Sequence, residues 1–219
     1  MLPSQSAQRI LKLSLVLSLF AAFTPNSLSQ ISPSTAETII LVRHGEKPAA
    51  GLGQLTCKGL NRSLALPSLL IGRYGKPDFI YAPNPSVQVN DGHKQPTYSY
   101  IRPLATIEPT AIRLGLPVNT QIGSGQTAEL EKALLQPAYA RSLVFVAWEH
   151  YKLHELATQI LHDYGGNAAQ IPDWPKDDYE TIYILHITRT GKNEAPHATF
   201  EIQNENLGNS LSDTCPGPQ

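Results

Sequence analysis

Two short apolar runs constrain the fold of this chain more than any other feature. Residues 38–42 read TIILV, and residues 143–148 read LVFVAW. Unbroken apolar runs of this length, rich in β-branched side chains, are typical of strands covered on both faces in a parallel sheet. Each run ends at a charged residue followed by a histidine, His44 after the first run and His150 after the second. The same local arrangement therefore occurs twice in one chain.

The rest of the chain alternates between further strands and amphipathic helices. Apolar spacing and turn residues predict helices at about 57–71, 104–114, 128–135 and 153–164, and strands at 78–82, 181–187 and 199–203. This alternation indicates an α/β fold, and we predict three layers, α/β/α, around a mostly parallel central sheet. Catalytic groups in such sheets collect beyond the carboxyl ends of the strands, so His44 and His150 should lie at one edge.

The first predicted helix has a defined start. Thr56 is its predicted N-cap, because a threonine hydroxyl can accept a hydrogen bond from an N–H group of the first turn. Leu60, Leu64 and Leu70 are predicted to face inward. The polar stretch 83–97 is predicted as a long loop, a feature that is often functional in compact domains.

The first 29 residues have the three parts of a secretory signal. Arg9 and Lys12 precede an apolar run at 13–23, and small residues end the segment at Ser29. The alternative is an uncleaved anchor, although the run is shorter than the ~20 residues of a spanning helix. Cleavage implies a secreted or periplasmic protein with no stable membrane span. We therefore predict a signal peptide at 1–29, a linker at 30–37, one folded domain at 38–203 and an irregular tail at 204–219.

Composition and cysteine content narrow the class of function. The chain has 219 residues, 41% of them hydrophobic, and a formal net charge of −1. One domain with a sizeable core is therefore expected, whereas a nucleic-acid partner is not. Export would permit a disulfide between Cys57 and Cys215, and the alternative is two free thiols. No grouping of cysteine, histidine and carboxylate residues has the spacing of a metal site.

The residues after the first strand suit phosphoryl transfer. A neutral imidazole such as that of His44 is a competent nucleophile toward phosphorus. The phosphohistidine that it would form carries negative charge, which a planar arginine fork such as that of Arg43 can bind. Gly45 lets the backbone turn sharply and approach a phosphate closely.

Four segments resemble, in order, the motifs of the histidine phosphatase superfamily, also called the phosphoglycerate-mutase-like family. They are LVRHGEKP at 41–48, GQLTCKG at 53–59, YSYIRPLATIEPTAIRLGLP at 98–117 and LVFVAWEH at 143–150. The resemblance extends over residues 38–190, nearly the whole predicted mature chain. It implies a phosphoglycerate-mutase-like fold and a chemistry that needs no metal or other cofactor, because arginines and histidines supply the positive charge.

The resemblance implies roles for four residues. His44 would be the phosphorylated nucleophile, and His150 would hydrogen-bond the phosphoryl group and stabilise its transition state. Arg43 and Arg102 would bind the phosphoryl oxygens. One preorganised donor of this kind is typically worth about 2.7–4 kcal/mol of barrier.

Two positions depart from the family pattern. Glu149 stands where many members have a glycine, and Lys47 replaces residues that contact substrate in the mutases. Lys47 either adds charge at the mouth of the site or faces solvent. The acid that protonates the leaving oxygen is open, with Glu149 and Glu129 as the leading candidates and Asp177 and Asp178 as later ones.

Together these observations favour an exported phosphatase that acts on a small phosphorylated substrate through a phosphohistidine on His44. Water would then release the phosphate. One alternative is a non-catalytic phosphate-binding or interaction module on the same fold. The other is a phosphomutase that returns the phosphoryl group to a sugar acid, and export argues against it because that chemistry belongs to cytosolic metabolism.

Overall fold

The computed structural model describes residues 35–90, 96–189 and 195–217. The predicted signal peptide at 1–29 and most of the predicted linker lie outside these ranges. By its internal contacts the chain divides after Ile31, and all described residues fall in the second unit, Ser32–Gln219. Within the described ranges, no helix combines the length and the apolar character that crossing a membrane requires.

A six-stranded sheet forms the centre of the fold. Its strands are β1 (Thr35–Arg43), β2 (Phe79–Tyr81), β5 (Val118–Asn119), β6 (Leu143–Trp148), β7 (Thr181–Arg189) and β8 (His197–Asn204). They lie in the order β5-β2-β6-β1-β7-β8. The first four strands of this order are mutually parallel, whereas β7 runs antiparallel to β1 and β8 antiparallel to β7. The predicted mostly parallel sheet is therefore confirmed, with an antiparallel pair added at one edge.

The polar stretch predicted as a loop contains a strand. Within it, β3 (Gln88–Val89) pairs antiparallel with β4 (Tyr98–Ser99), outside the main sheet. The sequence prediction missed this hairpin because two-residue strands carry too few side chains to show a period of two.

Four helices cover the two faces of the sheet. They are α1 (Cys57–Tyr74), α2 (Arg102–Leu114), α3 (Thr127–Leu134) and α4 (His150–Asp163). Alternate residues of β1 point to opposite faces: Ile40 packs in the core with residues of α1 and α2, and Ile39 with residues of α3 and α4. The predicted three-layer α/β/α architecture is thus confirmed.

The start of α1 agrees with the prediction, but part of its buried face does not. Thr56 Oγ1 accepts a hydrogen bond from the Gly59 N–H at 3.1 Å. Leu60 and Leu64 are 36% and 52% exposed, and only Leu70 of the three predicted leucines is buried. The helix is rotated because its inward face carries the charged side chain of Arg62, which an apolar pattern cannot reveal. The full set of buried α1 residues is Gly59, Arg62, Ser63, Leu66, Pro67 and Leu70.

A disulfide joins Cys57, the first residue of α1, to Cys215 near the end of the chain. The side-chain amide of Asn61 donates hydrogen bonds to the carbonyl oxygens of Ser212 and Thr214, both at 2.8 Å. The irregular tail that was predicted at 204–219 is therefore held against the first turns of α1.

Replacing both cysteines by serine is expected to lower the free energy of unfolding by about 2–4 kcal/mol. The cross-link spans 158 residues, so its loss frees a large part of the unfolded chain. Denaturant titration of the oxidised protein measures the change. Reductant should destabilise the wild type and leave the C57S/C215S variant unchanged, and equal stability of the two oxidised proteins would contradict the prediction.

Candidate active site

The two histidines lie together at the carboxyl edge of β1 and β6. The His44 N–H donates to the carbonyl oxygen of Trp148 at 3.0 Å, and His150 opens α4 directly after β6. Both line a cavity of about 490 Å³. The predicted site residues on its wall are Arg43, His44, Lys47, Arg102, Glu149 and His150.

The ring of His44 has the protonation state that a nucleophile needs. Its Nδ1 lies 2.7 Å from the carbonyl oxygen of Gly45. A carbonyl can only accept, so Nδ1 carries the hydrogen and Nε2 keeps its lone pair. Burial, followed by the positive charges of Arg102 and Arg43 and the neighbouring His150, holds the pKa of His44 well below its usual value of 6.5. His44 is therefore neutral at physiological pH.

Gly45 permits a close approach of two segments of backbone. Its N–H donates to Thr106 Oγ1 at 2.9 Å, and the Thr106 hydroxyl donates to the carbonyl oxygen of Arg102 at 2.8 Å. A Cβ added at Gly45 would lie 2.9 Å from the carbonyl oxygen of Gly59 in α1. The glycine is required here because α1 passes so close, and its φ is not in the left-handed region.

Arg43 is held from one side by backbone carbonyl groups. Its Nη1 donates to the Asp178 oxygen at 2.6 Å and its Nη2 to the Lys176 oxygen at 2.7 Å. The ring of Tyr179 lies against the guanidinium, 3.8 Å from Cζ to the ring centroid. Arg43 Nε is buried and has no hydrogen-bond partner among the described residues. The edge formed by Nε and the second hydrogen of Nη2 therefore remains for an anion.

Arg102 reaches the cavity from the first residue of α2. Its N–H donates to the carbonyl oxygen of Gly53 at 3.1 Å. Gly53 has a φ of +65°, and a Cβ at this position would collide with the Ser99 oxygen, so only glycine fits. The Arg102 guanidinium lies over the ring of Tyr100, at 4.8 Å, and the same ring meets His44 edge-on. Tyr100 thus positions both a cation and the nucleophile.

Glu149 is bound at the start of α4. Its Oε2 accepts the Lys152 N–H at 3.1 Å, which caps the helix, and its Oε1 lies 2.5 Å from His150 Nδ1. Burial would raise the pKa of Glu149, but His150 and the N–H groups of Tyr151 and Lys152 outweigh burial and lower it. Glu149 is therefore ionised in the unliganded site.

The other candidate acids lie elsewhere. Glu129 is exposed on the first turn of α3 and is not among the residues that line the cavity. Asp177 is also exposed. The carboxylate of Asp178 accepts hydrogen bonds from Glu180 N–H and from Thr181 N–H and Oγ1, so it fixes the start of β7. Of the four carboxylates, the structure brings only Glu149 to the cavity.

A buried arginine behind the cavity joins three segments of the chain. Arg62 binds both carboxylate oxygens of Glu46, at 2.7 and 3.0 Å, and Glu180 at 2.5 Å. It also binds the buried carboxylate of Glu205. These four residues are called the Arg62 cluster below. Burial raises the pKa of Glu205 to about 8 despite Arg62.

Sequence reasoning missed several residues around the cavity. Tyr100 was within a quoted motif, two residues before Arg102, so its position was a usable signal. Tyr179 precedes a strand and carried no signal, because the orientation of β7 was unknown. The Trp148 indole donates to the Ser124 oxygen at 2.9 Å and holds a further part of the wall. The other lining residues are Val89, Asn90, Tyr100, Ser124, Gly125, Tyr151, Lys152 and Lys176.

Among the described ranges, no cluster of three or more histidine, cysteine or carboxylate side chains could hold a metal ion. The groups that could bind an anion are Arg43, Arg102 and His150, together with the lysines at the cavity.

Fold and site together define an α/β protein with two histidines and two arginines at the carboxyl edge of its sheet. Neither a family model nor a curated protein sequence matches this chain. Solved structures do match. A Nakamurella multipartitia protein assigned as the phosphohistidine phosphatase SixA superposes with a TM-score of 0.53 at 15% identity, over 78% of this chain and 98% of that one. A mycobacterial protein described as hydrolase 2 has a TM-score of 0.50 at 13% identity, over 77% and 91%. These likenesses confirm the predicted α/β fold.

Proposed function

We propose that this protein is an exported phosphatase that hydrolyses a phosphomonoester through a phosphohistidine on His44. The observation that carries the proposal is the neutral His44, with Nδ1 bound to a carbonyl and Nε2 left as the nucleophilic atom. Arg43, Arg102 and His150 line the same cavity and can bind a phosphoryl group. The protein of similar fold that is assigned as a phosphohistidine phosphatase supports the same reaction class.

In the first half of the reaction, Nε2 of His44 attacks phosphorus while the P–O bond to the leaving group breaks. Arg43 and Arg102 bind the phosphoryl oxygens as their negative charge is redistributed. The departing oxygen takes a proton from Glu149. Glu149 acquires this proton when the dianionic substrate enters beside it, because a like charge raises the pKa of a carboxyl group.

In the second half, water attacks phosphorus and the P–N bond breaks. The Glu149 carboxylate accepts a proton from this water, inorganic phosphate leaves, and Nε2 regains its lone pair. His150, held by the contact of its Nδ1 with Glu149, donates from its other nitrogen to the phosphoryl group.

Export is supported by the signal-like segment at 1–29 and by the Cys57–Cys215 disulfide, since disulfides persist in oxidising compartments. A secreted or periplasmic location is therefore part of the proposal. The same location disfavours a phosphomutase, because mutase chemistry belongs to cytosolic metabolism.

Trapping the intermediate tests the proposal. Rapid alkaline quenching of a reaction with p-nitrophenyl phosphate should leave an acid-labile phosphoryl group that peptide mapping places on His44. Adding glycerate as an acceptor separates a mutase, which would phosphorylate it, from a phosphatase, which would release inorganic phosphate. A phosphoryl group on another residue contradicts the mechanism, and phosphate binding without turnover would identify a non-catalytic module.

Replacing Glu149 by glutamine is expected to slow the hydrolysis of an alkyl phosphate such as glycerol 3-phosphate by about 10²–10⁴-fold. p-Nitrophenyl phosphate should lose much less, because its leaving group departs without a proton. Steady-state kinetics with both substrates measures the difference. The matched control is Glu129→Gln, which should change neither rate by more than about twofold. An equal loss on both substrates would show that Glu149 is not the acid.

A further inference from the structure

The segment that carries His44 is anchored on the Arg62 cluster. Glu46, two residues after His44, is held by α1 through both its backbone and its side chain. Its carbonyl oxygen accepts the Thr56 N–H at 2.8 Å, and its two carboxylate oxygens lie 2.7 and 3.0 Å from Nη2 and Nε of Arg62. A two-atom fork of this kind fixes orientation as well as distance. The orientation of the chain directly after His44 therefore depends on Arg62.

The same guanidinium holds the segment that contacts Arg43. Glu180 Oε1 lies 2.5 Å from Nη2 of Arg62. The residues just before Glu180, at 176–179, supply two carbonyl oxygens and one aromatic ring to Arg43. The Glu180 N–H donates to the Asp178 carboxylate at 2.8 Å, which ties Glu180 to this segment. Arg62 thus joins the segment of the nucleophile to the segment that positions Arg43.

The third carboxylate of the cluster belongs to the C-terminal part of the chain. Glu205 is 1% exposed and binds Nη1 of Arg62, and its own N–H donates to the Glu180 carbonyl oxygen at 2.7 Å. The Leu207 N–H donates to Glu180 Oε2 at 2.8 Å. Both carboxylate oxygens of Glu180 are therefore bound, one by Arg62 and one by this C-terminal backbone. Because Arg62 is itself only 1% exposed, bulk water does not reach its guanidinium.

Stability alone explains this cluster poorly. Burying an ion pair costs desolvation, and well-packed apolar side chains of similar volume often give equal or greater stability. What the charged contacts add is a defined geometry between three segments that are far apart in sequence. None of the four residues of the cluster is among those that line the cavity. Any effect of the cluster on catalysis must therefore pass through His44 and Arg43.

We infer that Arg62 is a positioning residue for phosphoryl transfer: by binding Glu46 and Glu180 at once, it keeps His44 and Arg43 in the mutual geometry that the reaction needs. The inference rests on the proposed function. A misplacement of about 1 Å can cost on the order of 10²-fold in rate, whereas the binding of a ground-state anion depends less on such a shift. Loss of these contacts therefore lowers kcat far more than it lowers the affinity for phosphate.

Breaking the contacts of Arg62 one at a time tests the inference. Glutamine has almost the shape of glutamate but only one side-chain acceptor oxygen. In Glu46→Gln its amino group faces Arg62, and in Glu180→Gln it faces either Arg62 or the Leu207 N–H. At a temperature where thermal unfolding shows both variants folded, each should lose about 10–100-fold in kcat for p-nitrophenyl phosphate. The calorimetric Kd for inorganic phosphate should change by less than about threefold.

The matched control for lost stability is Leu134→Ala. Leu134 is buried at the end of α3 and is not among the residues that line the cavity. Truncating a buried leucine destabilises a domain about as much as breaking a buried ion pair does. The folded control variant should keep kcat within about twofold of wild type.

NMR of the protein with 15N-labelled histidine adds a readout that does not depend on turnover. The wild-type His44 ring should carry its hydrogen on Nδ1, which is bound to the Gly45 oxygen. Glu46→Gln should shift this signal, because Gly45 directly precedes Glu46 in the chain. Leu134→Ala should leave the signal unchanged.

Unchanged kcat in both folded glutamine variants overturns the inference and leaves the phosphatase proposal intact. An equal loss of kcat in folded Leu134→Ala also overturns it, because destabilisation alone would then explain the effect. If no phosphomonoester is hydrolysed, the proposed function fails and the NMR signal decides the positioning role. A shift in Glu46→Gln that is absent from Leu134→Ala supports positioning by the cluster, and an unchanged signal contradicts it.

Discussion

Replacing His44 by alanine is expected to lower kcat for phosphomonoester hydrolysis by on the order of 10⁴–10⁶-fold, because the variant has no nucleophile in the cavity. Arg43, Arg102 and His150 remain, so inorganic phosphate should still bind. The variant should form no acid-labile phosphoenzyme. Steady-state kinetics, phosphate titration and rapid quenching measure the three expectations.

The control for His44→Ala is His162→Ala, at a histidine whose side chain is 76% exposed near the end of α4. It should retain full activity. Because His44 is buried, thermal unfolding of the alanine variant must show that it is folded at the assay temperature. Retention of more than about 1% of wild-type kcat by a folded variant would falsify the histidine-nucleophile mechanism.

Replacing Arg62 by methionine is expected to lower the free energy of unfolding by about 3–5 kcal/mol, as breaking a buried ion pair typically does. Methionine has a similar apolar stem, but it leaves Glu46, Glu180 and Glu205 without their shared cation. Glu46 lies two residues after His44, and Glu180 directly follows Tyr179, which covers Arg43. Denaturant titration measures the loss.

The pH dependence of that loss distinguishes charge from packing. In the wild type, Glu205 has its pKa raised by burial from 4.5 to about 8, so its stabilising contribution is full at low pH and declines as pH rises through 8. Without Arg62 the remaining carboxylates hold protons more tightly, and the loss should be larger at pH 8 than at pH 6. Arg113→Met, at a surface arginine that donates to Ser68, should cost less than about 0.5 kcal/mol at both pH values. A loss in Arg62→Met that is independent of pH would contradict the electrostatic explanation.

The local sequence was sufficient to predict the two strands that lead to His44 and His150. The apolar runs predicted β6 to the residue and β1 to within a few residues, because buried parallel strands need no polar alternation. Thr56 marked the start of α1, because a helix N-terminus must satisfy its free N–H groups with a neighbouring side chain. His44, His150 and Arg102 follow or begin these elements, so their convergence on one edge could be predicted from chain order alone.

The antiparallel direction of β7 was decided by the tertiary structure. Val42 pairs with Ile182, so the segment that precedes β7 lies at the edge where β1 ends. Lys176 and Tyr179, which precede β7, therefore lie beside Arg43. If β7 ran parallel to β1, the start of β7 would lie at the opposite edge of the sheet. A strand's own residues do not encode its direction relative to a neighbour, which depends on hydrogen bonds and packing between segments far apart in sequence.

The choice between Glu149 and Glu129 also depended on the tertiary structure. From the sequence, both glutamates were candidates for the acid. The structure places Glu149 on the wall of the cavity, where it caps α4, and Glu129 on the exposed side of α3. Arg62 likewise gave no signal, because its partners Glu46, Glu180 and Glu205 come from three distant segments. Through local periodicity and helix capping, the sequence by itself determined which residues could do the chemistry. Only tertiary packing decided which carboxylates and cations surround those residues, because burial and charge pairing depend on contacts between residues far apart in sequence.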